Sequence, residues 1–235
     1  MFTRNYIEDI VKQGLANDIF KAEQSYELVK IIGLKINEIN EGCLKSYREL
    51  FGAIQYAFMT ETILSVAKIY DSPSKKYPTR CLRGVLNFLD ENANELPEIS
   101  EPIQLREHLK FMSASITLIN SISNNSSYFA KNFSNYINNI LNDPDRLDAI
   151  QKLKLLRDKS VCHNESINFK IQGPTWASLK NLIEIAKNVV GVLGWAYFET
   201  PTAYVIKGEY IFSSDATMVG YELNKLFEDV SKNKA

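Results

Sequence analysis

Apolar residues recur along most of this chain at three- and four-residue spacing, the period of an α-helix buried on one side. In residues 17–42, NDIFKAEQSYELVKIIGLKINEINEG, Leu28, Ile32, Ile36 and Ile39 keep that spacing and Lys35 intrudes on it. Asn17 is a candidate N-cap for this helix and Gly42 a stop. The next stretch carries a broad apolar face of Tyr47, Leu50, Phe51, Ile54, Phe58 and Leu64. Prolines and charges in DSPSKKYP, residues 71–78, mark a loop. Thr79 is then expected to cap a short helix bearing Leu82, Val85, Leu86 and Leu89.

Pro97 and Pro102 bracket a connection, after which residues 103–122 read as one further helix. Residues 123–143, SNNSSYFAKNFSNYINNILND, are rich in asparagine and serine and read as a loose helix or a partly disordered segment. Their phenylalanines and tyrosines favour a packed helix. Asp143 and Pro144 form an N-cap and first-position pair for the helix that follows. The QGP of residues 172–174 breaks the chain, and Thr175 is placed to cap a long apolar helix. AYVIKGEYIF, residues 203–212, is the one strand-like piece and fits a small hairpin around Lys207 and Gly208. A last amphipathic helix starts at Asp215 and ends near Lys232. The expected fold is therefore all-α and up-and-down, with five to eight helices. It forms one domain over residues 1–235, with a core of about 17–200 and a C-terminal extension of 201–235.

Composition narrows the chemistry. Of 235 residues, 27 are basic and 28 acidic, for a net charge of −1, which argues against a surface wholly given to nucleic acid but leaves room for a local basic patch. Cys43, Cys81 and Cys162 are scattered and form no CxxC pair, which fits free thiols in a reducing cytoplasm. With two histidines in all, a zinc-type metal site is not expected, and no glycine-rich phosphate loop is present. No apolar run approaches the roughly 20 residues needed to span a bilayer, and the N-terminus has no signal-peptide core. The chain is expected to be cytoplasmic, with no cofactor.

Candidate chemistry concentrates in LLRDKSVCHNE, residues 155–165. On a wheel at about 100° per residue, Ala149, Ile150, Leu153 and Val161 define an apolar face. Arg157 falls within that face and His163 on its edge, about 9 Å apart along the axis if the helix continues that far. A guanidinium on a buried face costs several kcal/mol unless a carboxylate, a wet cleft or an anionic ligand meets it. A salt bridge to a neighbouring helix, or a snorkelling side chain, answers that need as well as a binding site does.

Arg157-Asp158 followed by His163 resembles the arginine–polar–spacer–histidine signature of HEPN domains. A second stretch, Lys68-Ile69-Tyr70-Asp71 before a polar loop, is similar to the element found in the abortive-infection AbiU-type branch of those proteins. The resemblance covers roughly Tyr47 to Val190. It implies a four-helix bundle, often a homodimer with a composite site at the two-fold axis. It also implies an endoribonuclease that needs no metal ion, acting in phage defence as an abortive-infection toxin. Arg157 would hold the scissile phosphate and His163 would move a proton while the RNA 2′-OH attacks. Asp158 would orient or tether, and Asn164 would bind a phosphate oxygen or cap the helix end. Lys152, Lys154 and Lys159 are candidates for RNA backbone contact, or else a solvated face. An antitoxin or other defence partner is also implied, and no membrane. Some HEPN toxins carry a modifiable tyrosine two residues after the histidine; Glu165 stands there in this chain, so that form of control is not supported. The alternative is a non-catalytic HEPN-like module that binds a protein partner or a nucleotide. Cys162 beside the motif, His108, and the aromatic run Trp195, Tyr197 and Phe198 read as structural residues.

Overall fold

The computed structural model describes residues 2–74, 76, 79–123, 125–162, 172–198, 203–206, 209–212 and 216–232. The chain opens as helix α1 (Phe2–Ile10), passes through a five-residue π-helical turn (Val11–Leu15) and continues as α2 (Ala16–Leu34). Asn17 therefore lies inside a helix rather than capping one, and its side-chain amide donates to the Gln13 carbonyl. The reason is apolar spacing that begins earlier: Ile7, Ile10, Val11, Leu15 and Ile19 are all buried. The helix breaks at Lys35 and resumes briefly as α3 (Ile36–Asn40) before Gly42.

Helix α4 (Arg48–Ile69) packs along α2. Lys68, near the end of α4, lies 3.9 Å from Asp18, near the start of α2, so the two run antiparallel. Helix α5 (Leu82–Glu91) buries Leu82, Val85, Leu86 and Leu89 completely. Its N-cap position is Cys81, without a side-chain cap; the Thr79 hydroxyl instead donates to the Ser72 carbonyl. The expected single helix over 103–122 is two, α6 (Pro102–Phe111) and α7 (Ile116–Ser121). Ser113 between them has φ 54°, and Ser115 caps α7 by accepting from the Leu118 amide. The asparagine-rich segment forms a packed helix, α8 (Ser126–Leu141), with Phe129, Phe133 and Ile137 fully buried.

Helix α9 (Pro144–Leu156) starts as its Asp-Pro pair requires, with the Asp143 carboxylate accepting from the Arg146 amide. A six-residue π-helical segment, Arg157–Cys162, continues it. Helix α10 (Trp176–Tyr197) is capped by Thr175, which accepts from the Ser178 amide. Strands β1 (Ala203–Ile206) and β2 (Glu209–Phe212) pair antiparallel, and α11 (Met218–Lys232) packs on α2. Lys207, Gly208 and Asp215, the expected turn and helix start, lie outside the described residues.

The fold is all-α in architecture. Helices α2, α4, α9 and α10 pack around a shared core, with α5 to α8 extending it. Eleven α-helices among the described residues exceed the five to eight expected, because breaks such as those at Lys35 and Ser113 divide stretches whose apolar spacing is otherwise continuous. Among the described residues one segment, Lys45–Ile69, is long and apolar enough by length and composition alone to cross a membrane. Gln55, Thr60-Glu61-Thr62 and Ser65 interrupt it, so it holds no unbroken apolar run of spanning length.

Candidate functional site

The last turn of α4 delivers the site's first half. Tyr70 is buried, and its hydroxyl donates to the Leu182 carbonyl of α10 at 2.6 Å. Burial pushes the phenol's pKa up, so it stays a neutral donor. This anchor fixes the residue that follows. Asp71 accepts from the Ser72 amide at 2.9 Å through Oδ1, leaving Oδ2 to accept from Arg157 Nη1 at 3.1 Å. The Ser72 hydroxyl is met by Lys154 Nζ at 3.1 Å, so the loop after α4 is tied to α9 at two points.

Arg157 opens the π-helical segment, with its side chain 18% exposed. The wheel placed it on the apolar face, and the partial burial follows from that. Its guanidinium lies between two carboxylates: Nε donates to Asp158 Oδ1 at 2.6 Å and Nη1 to Asp71. Asp158 comes first among the causes that hold Arg157 firmly charged, ahead of Asp71; burial opposes both. Asp158 is the next residue along the chain, and its carboxylate reaches the arginine's stem-side nitrogen. Widened i→i+5 turns are rare and occur often at functional sites; this one begins at the motif arginine.

The expected site residues are distributed unevenly. Arg157 and Asp158 come together, and Lys154 reaches the same loop. Lys152 instead pairs with Asp148 at 2.7 Å, one turn back on its own helix. Lys159 is half-buried. His163 and Asn164 lie outside the described residues. In the sequence Asp71 stood only as part of a family element; the structure makes it the long-range partner of Arg157 within the same chain, 86 positions away. The sequence signal was present in the Lys-x-Tyr-Asp element, but nothing in it named the partner. His108 is buried, and burial pulls its pKa down to about 3. Tyr197 and Phe198 are fully buried in the core.

A separate cleft of about 390 Å³ opens between the first turns of α9 and α10, lined by Asp143, Asp145, Arg146, Ser178, Asn181 and Leu182 among others. Arg146 there donates to Asn181 and to the Ile140 carbonyl. Among the described residues, no group of three or more His, Cys, Asp or Glu side chains could hold a metal ion.

No curated protein matches the chain. No solved structure matches it. The family AbiU2, of the HEPN type, matches residues 5–212, which takes in both the Tyr70-Asp71 element and the Arg157 segment that the fold joins. The chain belongs to this AbiU2 family of HEPN proteins.

Proposed function

We propose that this chain is a HEPN-type endoribonuclease of a phage-defence system, cutting RNA by attack of the 2′-OH on the adjacent phosphorus without a divalent ion. The observation that carries the reading is the convergence of Arg157 and Asp71, the two halves of the family pattern, at one partly exposed point. A guanidinium there is charged at any working pH and can stabilise charge growing on a phosphate. Asp71 and Asp158 act as positioning residues that hold its fork, and Lys154 adds positive charge on the same side. His163 supplies the proton transfer. Two copies facing each other across a two-fold axis would place both arginines in one cleft, and a neutralising partner would restrain it.

One observation favours a second reading. Two carboxylates already flank Arg157. A phosphate must displace or outcompete at least one of them, since like charges repel it. A non-catalytic module, in which Arg157 is a structural tie between α4 and α9, needs no such exchange.

The purified chain, incubated with single-stranded RNA in excess EDTA, separates the two. The ribonuclease reading expects cleavage to 2′,3′-cyclic phosphate ends, no cutting of matched DNA, and loss of cleavage in both Arg157→Ala and His163→Ala. It also expects specific activity to fall on dilution, as copies separate. Absence of cleavage by the unsubstituted chain, together with a clear loss of thermal stability in Arg157→Ala, establishes the structural tie instead.

A further inference from the structure

Among the described residues two segments form π-helical turns, Val11–Leu15 and Arg157–Cys162. Both meet the loop between α4 and α5, one at each end. At the near end Arg157 holds Asp71. At the far end the loop returns at Arg80, whose stem crosses Gly14 inside the first π-helical turn. A Cβ built on Gly14 would collide with the Arg80 Cβ and stand 2.8 Å from its Cδ, so the position admits no side chain while Arg80 lies there. Glycine is the weakest helix former after proline. Its place within continuous helix is explained by the stem that lies on it. The i→i+5 bond of this turn runs from the Ala16 amide to the Val11 carbonyl. Such turns are rare and occur often at functional sites.

Arg80 is fixed at its head as well. Nε donates to Asp9 Oδ2 at 2.9 Å and Nη2 to Asp9 Oδ1 at 3.0 Å, a two-pronged grip across 71 positions. The two side chains are 51% and 49% exposed, and a pair so open to water adds little to stability. What a forked grip does supply is geometry, since both nitrogens must be met at once. From Arg80 a short path leads to the site. The hydroxyl of Thr79 donates to the Ser72 carbonyl at 3.4 Å, and the Ser72 amide donates to Asp71 Oδ1 at 2.9 Å. That leaves Oδ2 turned to Arg157 Nη1 at 3.1 Å.

We propose that Arg80 and Gly14 are positioning residues for the Arg157 site. Arg80, seated on Gly14 and locked to Asp9, holds Thr79 against Ser72. Ser72 in turn sets which carboxylate oxygen Asp71 gives to the arginine. The catalytic consequence rests on the ribonuclease reading; the control of Arg157 geometry does not. Simple anchoring of α5 explains less. Leu82, Val85, Leu86 and Leu89 are fully buried and seat that helix in the core without help from an exposed ion pair. Nor does Tyr70 make the seat redundant. Its bond to the Leu182 carbonyl places the backbone beside Asp71, not the direction of the Asp71 carboxylate.

The test follows the Arg157 guanidinium by nitrogen NMR in the full chain, with Arg157→Lys to assign its signals, beside RNA cleavage and thermal melts. Arg80→Ala and Asp9→Asn are compared with Lys110→Ala, which removes a similarly exposed ion pair with Glu107 elsewhere. The proposal expects the Arg157 signals to shift and their protons to exchange faster in Arg80→Ala and Asp9→Asn, but not in Lys110→Ala. It expects kcat to fall on the order of 10-fold, with KM changing under about twofold and the melting temperature close to that of the unsubstituted chain. Arg80→Lys, which keeps the stem over Gly14 and a charge beside Asp9, should recover most of the kcat. Gly14→Ala should match Arg80→Ala by displacing the stem; should it not fold, the Arg80 and Asp9 variants decide alone. Arg157 signals unchanged in Arg80→Ala overturn the proposal. So does cleavage that stays intact while the signals move, or a loss of kcat that only tracks a lowered melting temperature. An unsubstituted chain that cuts no RNA removes the ribonuclease reading, and the NMR comparison still decides whether Arg80 sets Arg157.

Discussion

Two places in this molecule set a cation between two carboxylates, and they differ mainly in water. Lys187 of α10 is 5% exposed and pairs with Glu23 of α2 at 2.5 Å and Glu184 at 3.3 Å. Arg157 is 18% exposed, with Asp71 at 35% and Asp158 at 51%. Glu184 is itself 42% exposed, but Lys187 and Glu23 lie where water can replace neither, so that pairing is obligatory. Burial alone would lower the Lys187 pKa; Glu23 and Glu184 outweigh it and hold the amine protonated. At Arg157 water and solutes reach both carboxylates, so each partner is exchangeable. The same arrangement of charges is closed to water in one place and open to it in the other.

Breaking the dry cluster should have the largest effect. Lys187→Met leaves Glu23, 12% exposed, without its closest counter-charge. It should cost about 3–5 kcal/mol of stability, the usual penalty for stranding a buried ion. Denaturant titration checks this, and a loss under 1 kcal/mol would show that the cluster is wetter than its exposure indicates.

Arg157→Ala should do the reverse. RNA cleavage should fall on the order of 10²–10³-fold, the share of one charge-stabilising donor. Water reaches both carboxylate partners of Arg157, and such pairs contribute about 1 kcal/mol or less, so the unfolding midpoint should move little. A large stability loss would move Arg157 into the class of Lys187.

His108 sharpens the comparison by showing burial without a carboxylate strong enough to hold the charge. Its folded-state pKa of about 3 lies below the ordinary 6.5. The unfolded chain therefore takes up a proton first. The His108 contribution is complete above about pH 6.5 and falls steadily as the pH drops toward 3. Between pH 6.5 and 5 the loss should be about 2 kcal/mol. His108→Gln should flatten that part of the stability–pH curve, and an unchanged slope would show that the ring is protonated in the fold.

The smallest effect should come from Asp71→Asn. Removing one charge at a partly exposed pair should shift stability by less than about 1 kcal/mol. Salt at 1 M, where the screening length falls to about 3 Å, should erase most of the difference. A salt-insensitive loss of several kcal/mol would mean that the pair is as enclosed as the dry one.

Local signals were legible because they act over a few residues. Asp143 and Thr175 cap the helices they were expected to cap, since a side-chain oxygen needs only an amide two or three positions ahead. The apolar spacing of Leu82, Val85, Leu86 and Leu89 marked a buried face, and all four are buried. The motif around Arg157 and the element at Tyr70-Asp71 were visible as separate strings, and the family they pointed to is the one the chain belongs to.

What the chain alone could not decide depends on which surfaces meet. Residues 17–42 gave no sign that α2 runs on from α1, because the continuation rests on burial of Ile7 through Leu15 against other helices. Nor could they show that Lys187, in an apolar helix, would meet Glu23, 164 positions away. Periodicity put Arg157 on an inward face but could not choose its partner, and a wheel at constant pitch could not anticipate the wider turns from Arg157 to Cys162. The broad apolar face from Tyr47 to Leu64 showed no division, whereas packing buried the second half of α4 and left Gly52, Ala53, Tyr56 and Ala57 exposed. Sequence sets which side chains share a face of a helix; only the packed fold sets what that face touches, because burial and charge pairing are properties of neighbours far apart along the chain.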